Sequence, residues 1–365
     1  MGYSQARQGN RGGGMTELLQ GLRILDLSLW QPGHAATQLL ADLGADVLKV
    51  EPPGGDRERV VPDRVLNYYG HKRSLVLDLK RDADRARLLE LAAQADVVVE
   101  GYRPGVADRL GAGYAQLSAV NPALVYCSIT GFGQTGPLAQ ATGHDRNYQA
   151  YAGALVKPPG GGAPVASGAL IGNQGSGLAA VRCAERTGEG DHIDISTADL
   201  LVSWVAPMRS SSDEAQTPGH RQVHPGMETY ATADGGHVVL GIFTEDHFWD
   251  LLCRRLGLEQ YAGIGVPERD TRGPELFKAL QARFATRNRD EVVAELEPLG
   301  VPIAPVLSPP EALGHAHFRE RGVIATDAEG RRRVGHPILY RRHPSRAPGR
   351  APEIGEGGEE GFRRR

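Results

Sequence analysis

The sequence predicts an α/β fold, a doubly wound nucleotide-type large domain followed by a smaller α+β domain. Short β-branched runs alternate with helical patterns through the first half of the chain, the order that builds a parallel sheet. From Thr229 the texture changes to a hairpin followed by helical stretches. The chain has 365 residues, 40% of them apolar, long enough for two ordinary domains with cores of their own.

The elements follow in order. Arg23-Ile24-Leu25-Asp26-Leu27 reads as a first strand, Ala35 to Leu43 as a helix stopped by Gly44, and Asp46-Val47-Leu48-Lys49-Val50 as a second strand, a complete β-α-β unit. Ser74 to Leu79 is the next strand, Asp82 to Gln94 a helix, Asp96 to Glu100 a strand, Val106 to Leu110 a short helix and Leu124 to Ile129 a strand. G-x-G-x-x-G does not follow the first strand, where Trp30-Gln31-Pro32-Gly33-His34 stands instead, and this disfavours a dinucleotide dehydrogenase. Pro158 to Pro164 is a Pro/Gly-rich loop of the functional or mobile kind. Thr229 to Leu240 reads as a hairpin turning at Asp234-Gly235-Gly236, with helices at Asp246 to Leu256, Pro274 to Ala285 and Arg289 to Leu296. The expected organisation is a flexible leader over residues 1–18, the large domain over 19–200, the small domain over 201–325, a return to the large domain over 326–345, and a disordered tail over 346–365, where Pro, Gly, Glu and Arg prevail.

Composition narrows the partners. Net charge is -3, from 41 basic and 44 acidic residues mixed along the chain, which offers no single-signed field to nucleic acid or an anionic membrane. Three scattered cysteines with no C-x-x-C pair suggest neither a disulfide framework nor a zinc site, so no metal is expected and a cytoplasmic setting fits. No apolar run reaches the ~18 residues of a membrane span. A small molecule is the expected partner.

Four segments carry a resemblance: Gly21 to Leu27, Ala41 to Glu51, Glu100-Gly101-Tyr102-Arg103-Pro104-Gly105, and Ser128 to Pro137. Together, in order from about residue 20 to 345, they resemble the family III CoA-transferase fold (CaiB/BaiF type), which also contains α-methylacyl-CoA racemase. The resemblance implies an interlocked homodimer, an acyl-CoA or acyl-pantetheine substrate lying over the nucleotide-type domain, and no cofactor beyond the coenzyme A of the substrate. Gly143-His144-Asp145-Arg146-Asn147-Tyr148 resembles the racemase branch, where the histidine is a base at the α-carbon. An imidazole with an ordinary pKa near ~6.5 can take a proton at neutral pH, which agrees with that role, whereas a histidine alone at a helix start is more often structural. Asp145 either orients the imidazole or caps the helix beginning near Arg146. Glu245 matches an active-site glutamate of the racemase branch, and equally suits the first turn of the helix at Asp246. Lys72, Arg73, Tyr102 and Arg103 match positions near CoA in the resemblance, and the planar fork of Arg103 suits phosphate. Gly131, Gly133 and Gly136 let backbone approach a ligand or turn tightly.

One position departs from the resemblance. Both branches carry an aspartate in a Gly-Asp motif after the Pro/Gly-rich loop, as a nucleophile forming acyl anhydrides or as the second base. Asn173 stands there in this chain, and an amide neither attacks in that way nor carries protons near neutral pH. Three readings stay open: a racemase-like enzyme of the acyl-CoA α-carbon using His144, a CoA-transferase using another carboxylate such as Asp145, and a non-catalytic acyl-CoA binder.

Overall fold

In the computed structural model, residues 17–155, 163–167, 169–181, 189–205, 223–326, 330–340 and 342–363 are described. The expected leader, apart from Glu17 and Leu18, and most of the Pro158–Pro164 loop lie outside them. The described residues of Met1–Leu155, Val165–Gln216 and His315–Arg365 form one compact unit, and those of Val156–Pro164 and Thr217–Gly314 form a second. The chain thus rejoins the first unit at His315, ahead of the expected 326.

The first unit begins with strand β1 (Arg23–Asp26), helix α1 (Gln31–Asp42), β2 (Asp46–Glu51), α2 (Pro62–Tyr68), β3 (Arg73–Val76) and α3 (Asp82–Ala92). It continues through β4 (Val97–Glu100), α4 (Val106–Arg109), α5 (Tyr114–Val120), β5 (Val125–Thr130), α6 (Asp145–Tyr151), α7 (Ile171–Val181), β6 (Asp191–Ser196) and α8 (Thr197–Val205). The six strands are all parallel, in the order β3-β2-β1-β4-β5-β6. After β1 the chain winds outward to β2 and β3, then crosses back to place β4 on the other side of β1, so the carboxyl ends of β1 and β4 flank the point where winding reverses.

Side-chain alternation supplies a core on each face. Val125, Val97, Ile24 and Val47 stand in one row across the sheet and pack with Leu40 and Ala41 of α1. One residue further on, Tyr126, Val98, Leu25 and Leu48 point the other way, toward Leu88 and Leu91 of α3 and Leu117 of α5. Full burial of each aliphatic side chain contributes roughly 1.5–3 kcal/mol, which is why near-continuous Val/Ile/Leu runs mark these strands.

The second unit holds β7 (Thr229–Ala231), β8 (His237–Leu240), α9 (Asp246–Arg255), α10 (Val266–Thr271), α11 (Gly273–Phe284), α12 (Arg289–Leu296), β9 (Ile303–Pro305) and α13 (Pro309–Gly314). Its three strands form an antiparallel sheet around Trp249, Tyr230 and Phe284. Back in the first unit lie α14 (Ala316–Glu320) and the hairpin β10 (Ile324–Thr326) with β11 (Arg332–Val334).

The tail overturns the expectation of disorder. Ser74 of the edge strand β3 donates its N–H to Glu356 O at 2.9 Å and pairs with Gly357, Arg346 N–H donates to Asp42 O at 2.7 Å, and Phe362 joins the core beside α3. Composition undervalued this segment because an open sheet edge offers hydrogen bonds that need no apolar side chains, and one buried phenylalanine anchors the rest.

Candidate active site

A cavity of about 580 Å³ opens at the carboxyl ends of β1, β4 and β5, beside the winding reversal. Trp30, Pro32 and Gly33 from the turn after β1, Gly101 to Pro104 after β4, and Ile129 to Phe132 at the end of β5 form its base. His144, Asn147 and Tyr148 of the α6 region, Asn173 of α7 and Thr197 of α8 close the sides. A second recess of about 390 Å³ adjoins it through Trp30, Gly101, Tyr102 and Arg103, and adds Arg109 and Gln140.

The structure brings His144 and Asn173 into the same cavity. His144 is the N-cap of α6, with its N–H donated to Asn147 Oδ1 at 3.0 Å, and its ring meets the indole of Trp30 edge-on at 5.8 Å and 77°. Helix-start position and cavity position therefore coincide in one residue. Asn173 lies in the first turn of α7, and its N–H donates to Asp145 Oδ1 at 2.8 Å. Asp145 is 1% exposed, also accepts from the Gln149 side chain, and is not among the cavity-lining residues. It caps neither α6 nor the imidazole; it secures the start of α7, where an anionic oxygen meets unpaired N–H groups.

Arg103 is exposed and lines both recesses, and its guanidinium makes no hydrogen bond or ion pair among the described residues. Tyr102 lines both as well, its N–H held by Glu100 Oε2 at 2.6 Å and its phenol pushed up to about 12 by burial. Gly131 lines the cavity, and a Cβ there would lie 2.3 Å from the Tyr148 ring, whose hydroxyl donates to Gly143 O at 2.5 Å. Gly133 (φ 83°) and Gly136 (φ 91°) shape the following turn instead of lining the cavity.

Lys72 and Arg73 stand elsewhere. Lys72 is 4% exposed, its Nζ 2.7 Å from Thr37 Oγ1 and 3.2 Å from Asp26 Oδ2, and burial pushes it down to about 8 against the pull of Asp26. Arg73 grips Asp46 at 2.7 and 2.8 Å and donates to the tail carbonyl of Gly357 at 2.9 Å, so its fork is already filled. Glu245 belongs to the second unit, at the N-cap position just ahead of α9; its side chain makes no capping bond to the helix and instead accepts Phe243 N–H at 3.0 Å in the preceding turn.

Sequence reasoning gave no role to Trp30, Asn147 and Tyr148. The break in the Gly-rich pattern after β1 marked Trp30, and the Gly143–Tyr148 motif already contained the others. Around the β1–α1 turn that carries Trp30 lies a buried ionic floor. Asp26 accepts from Ser28 Oγ at 2.5 Å, from Thr37 Oγ1 at 2.6 Å and from Lys72, while Lys49 stands 3.6 Å from Asp26 and 3.3 Å from Asp56. His34 bridges Asp56 and Glu58 at 3.0 Å each. Burial alone would push the Asp26 carboxyl up, but the Lys49 and Lys72 ammonium groups hold it well below the usual range. This network fixes the β1–α1 turn that carries Trp30.

An α/β protein with a recess at the winding reversal, lined by an imidazole and by an arginine unpaired among the described residues, has the arrangement of a ligand-binding site. The chain belongs to CoA-transferase family III, which it matches over residues 19–357. It is 32% identical over 369 residues to the acetyl-CoA:oxalate CoA-transferase of Acetobacter aceti, covering 93% of each chain. It is also 32% identical over 358 residues to the α-methylacyl-CoA racemase of Mus musculus, covering 93% of this chain and 91% of that one. A CAIB/BAIF family protein from Brucella suis superposes with a TM-score of 0.82 at 29% identity, over 94% of this chain and 98% of that one.

Proposed function

We propose that the chain is an acyl-CoA enzyme acting at the α-carbon of a thioester, racemase- or epimerase-like, working as a homodimer on an acyl-CoA or acyl-pantetheine. The observation that carries this reading is the shared cavity of His144 and Asn173, whose lining contains no aspartate or glutamate among the described residues. Transfer through an acyl anhydride needs a carboxylate at the thioester, and Asp145 is buried and tied to α7. Proton chemistry needs only a base and donors for the enolate oxygen.

In that chemistry a His144 ring nitrogen takes the α-proton, the C–H pair moves into the enolate, and negative charge gathers on the thioester oxygen. The Asn173 carboxamide supplies an N–H donor for that charge, and the imidazolium returns the proton to carbon. Arg103, free beside the second recess, suits the phosphates of CoA.

The names of several relatives favour a second reading, CoA transfer between carboxylic acids. One experiment separates them: the protein is incubated in heavy water with a 2-methylacyl-CoA, beside a transfer assay of acetyl-CoA with a free acid. Deuterium at the α-carbon without transfer, abolished by His144→Ala, is expected. Transfer that survives His144→Ala would establish the second reading, and neither activity would leave a binder.

A further inference from the structure

Glu100 takes no part in the chemistry above, yet it sits directly behind the cavity wall. It ends β4, is 2% exposed, and accepts the Tyr102 N–H through Oε2 at 2.6 Å, in the loop that carries Arg103. Register sets it beside Ser128 of β5, whose hydroxyl also bonds the Glu100 carboxylate. Ser128 Oγ lies in turn 2.9 Å from His192 Nε2 on the edge strand β6. The His192 ring is stacked on Tyr114 at 4.9 Å, meets Tyr126 edge-on at 5.2 Å, and the residue is exposed to solvent. A buried acid is therefore linked to the surface by one hydroxyl and one imidazole.

The charged groups that bear on Glu100 give it no salt bridge. Asp108 of α4 and Asp194 of β6 are both acids, and Tyr102 and Tyr126 are phenols that stay neutral. Burial, reinforced by the two acids, pushes the Glu100 carboxyl up to about 7 against the bonds from Ser128 and Tyr102. A structural anchor in an apolar strand end could have been an amide; an acid here changes charge near neutral pH.

We propose that Glu100 is a positioning residue for the wall Gly101–Tyr102–Arg103, and that Ser128 and His192 pass its proton to and from solvent, so that the hold of this wall on coenzyme A follows pH. On ionisation the carboxyl proton moves to Ser128 Oγ as the Ser128 proton passes to His192 Nε2, and the imidazolium releases a proton to water. The ionised carboxylate then accepts the Tyr102 N–H in a charge-assisted bond, stronger than the neutral one. The inference rests on the reading that a CoA thioester fills the cavity, and not on the α-proton chemistry.

The probe is 3′-dephospho-coenzyme A, whose diphosphate does not titrate near neutrality, with dissociation constants measured by calorimetry between about pH 6 and about pH 8. Affinity should rise about fivefold over that interval, the ratio between charged and neutral hydrogen bonding. Glu100→Gln should flatten the profile, and Ser128→Ala, which removes a bond favouring the charged form, should move its midpoint upward. Protection of the Tyr102 amide from hydrogen exchange, corrected for the intrinsic rate, should show the same midpoint without ligand. A flat profile in the unaltered protein, the same slope in Glu100→Gln, or an unmoved midpoint in Ser128→Ala would overturn the proposal. If the probe does not bind at all, the CoA reading fails, and the Tyr102 exchange profile still decides the role of Glu100.

Discussion

The ionic floor at the β1–α1 turn and the open cavity both carry charged or titratable residues at one end of one sheet, yet these side chains are in opposite states. Asp26, Lys49, Lys72 and His34 are at most 4% exposed, and each has partners on more than one side. Arg103 and His144 are exposed, and the Arg103 guanidinium has no partner among the described residues. Satisfaction, more than residue type, separates scaffold from chemistry: a charge whose bonds are complete holds a loop, and one whose bonds point into a cavity waits for a ligand.

The largest test of that contrast lies in the floor. Asp26→Asn keeps the shape but leaves the Lys49 and Lys72 ammonium groups without their shared carboxylate, and should cost about 3–5 kcal/mol of stability. Denaturant unfolding measures it. A loss under about 1 kcal/mol would mean that the floor is wet or that its lysines readily repartner.

Arg103→Ala should do the reverse. Stability should change by no more than about 0.5 kcal/mol, as for an exposed residue away from packed features, while acyl-CoA affinity falls by about 1.5–3 kcal/mol for the lost bonds to a charged group. Unfolding and calorimetry on the same preparation make the comparison. A destabilised protein with unchanged affinity would move Arg103 from the cavity to the scaffold.

The winding was legible in the sequence because a parallel sheet buried on both faces writes itself as β-branched runs, and β1 to β5 lie where such runs lie. The strand β6 was not, since its polar edge sequence Asp191-His192-Ile193-Asp194 lacks that run. Gly143-His144 was marked by its motif, and His144 and Asn173 line the same cavity. Lys72 and Arg73 were misjudged as phosphate ligands because a basic pair before a strand looks the same whether its partners are ligand oxygens or distant carboxylates. Asp26 and Asp46, which claim them, lie 46 and 27 positions away in the chain. Asp145 was misjudged for a related reason: the helix it secures, α7, is remote in sequence and its start was not recognised.

Asn173→Asp sharpens the comparison inside the cavity. With an amide on one side of the α-carbon, His144 should exchange the α-proton with retained configuration. A carboxylate at Asn173 should supply the second proton carrier and raise inversion by at least ~10-fold, a floor below what a positioned proton-transfer group contributes. Chiral analysis of the recovered thioester checks it. Fast inversion in the unaltered chain, insensitive to His144→Ala, would remove both residues from the chemistry.

The smallest expected effect concerns a scaffold acid that departs from the floor's pattern. Asp42, 6% exposed at the end of α1, has Gln38 Nε2 at 2.7 Å but no ion pair among the described residues, and burial pushes it up to about 6 against the weaker pull of Gln38, Lys72 and Arg346. Asp56, in the floor, is also pushed up by burial but is brought down to about 2 by His34 and Lys49. The signs oppose. Asp56 binds its proton more weakly when folded, so its contribution is present above the ordinary carboxylate range and is lost as pH falls through about 2. Asp42 binds its proton more tightly when folded, so its contribution is full below the ordinary range and is lost as pH rises through about 6. Replacing Asp42 by Asn should therefore remove a decline on the order of 1 kcal/mol that sets in above the ordinary value of 3.8 and is complete just above about 6, on the neutral side of the carboxylate range, and leave the acid limb untouched. Unfolding free energies measured across pH for both proteins decide it, and an unchanged slope on the neutral side would show that Asp42 stays ionised in the fold.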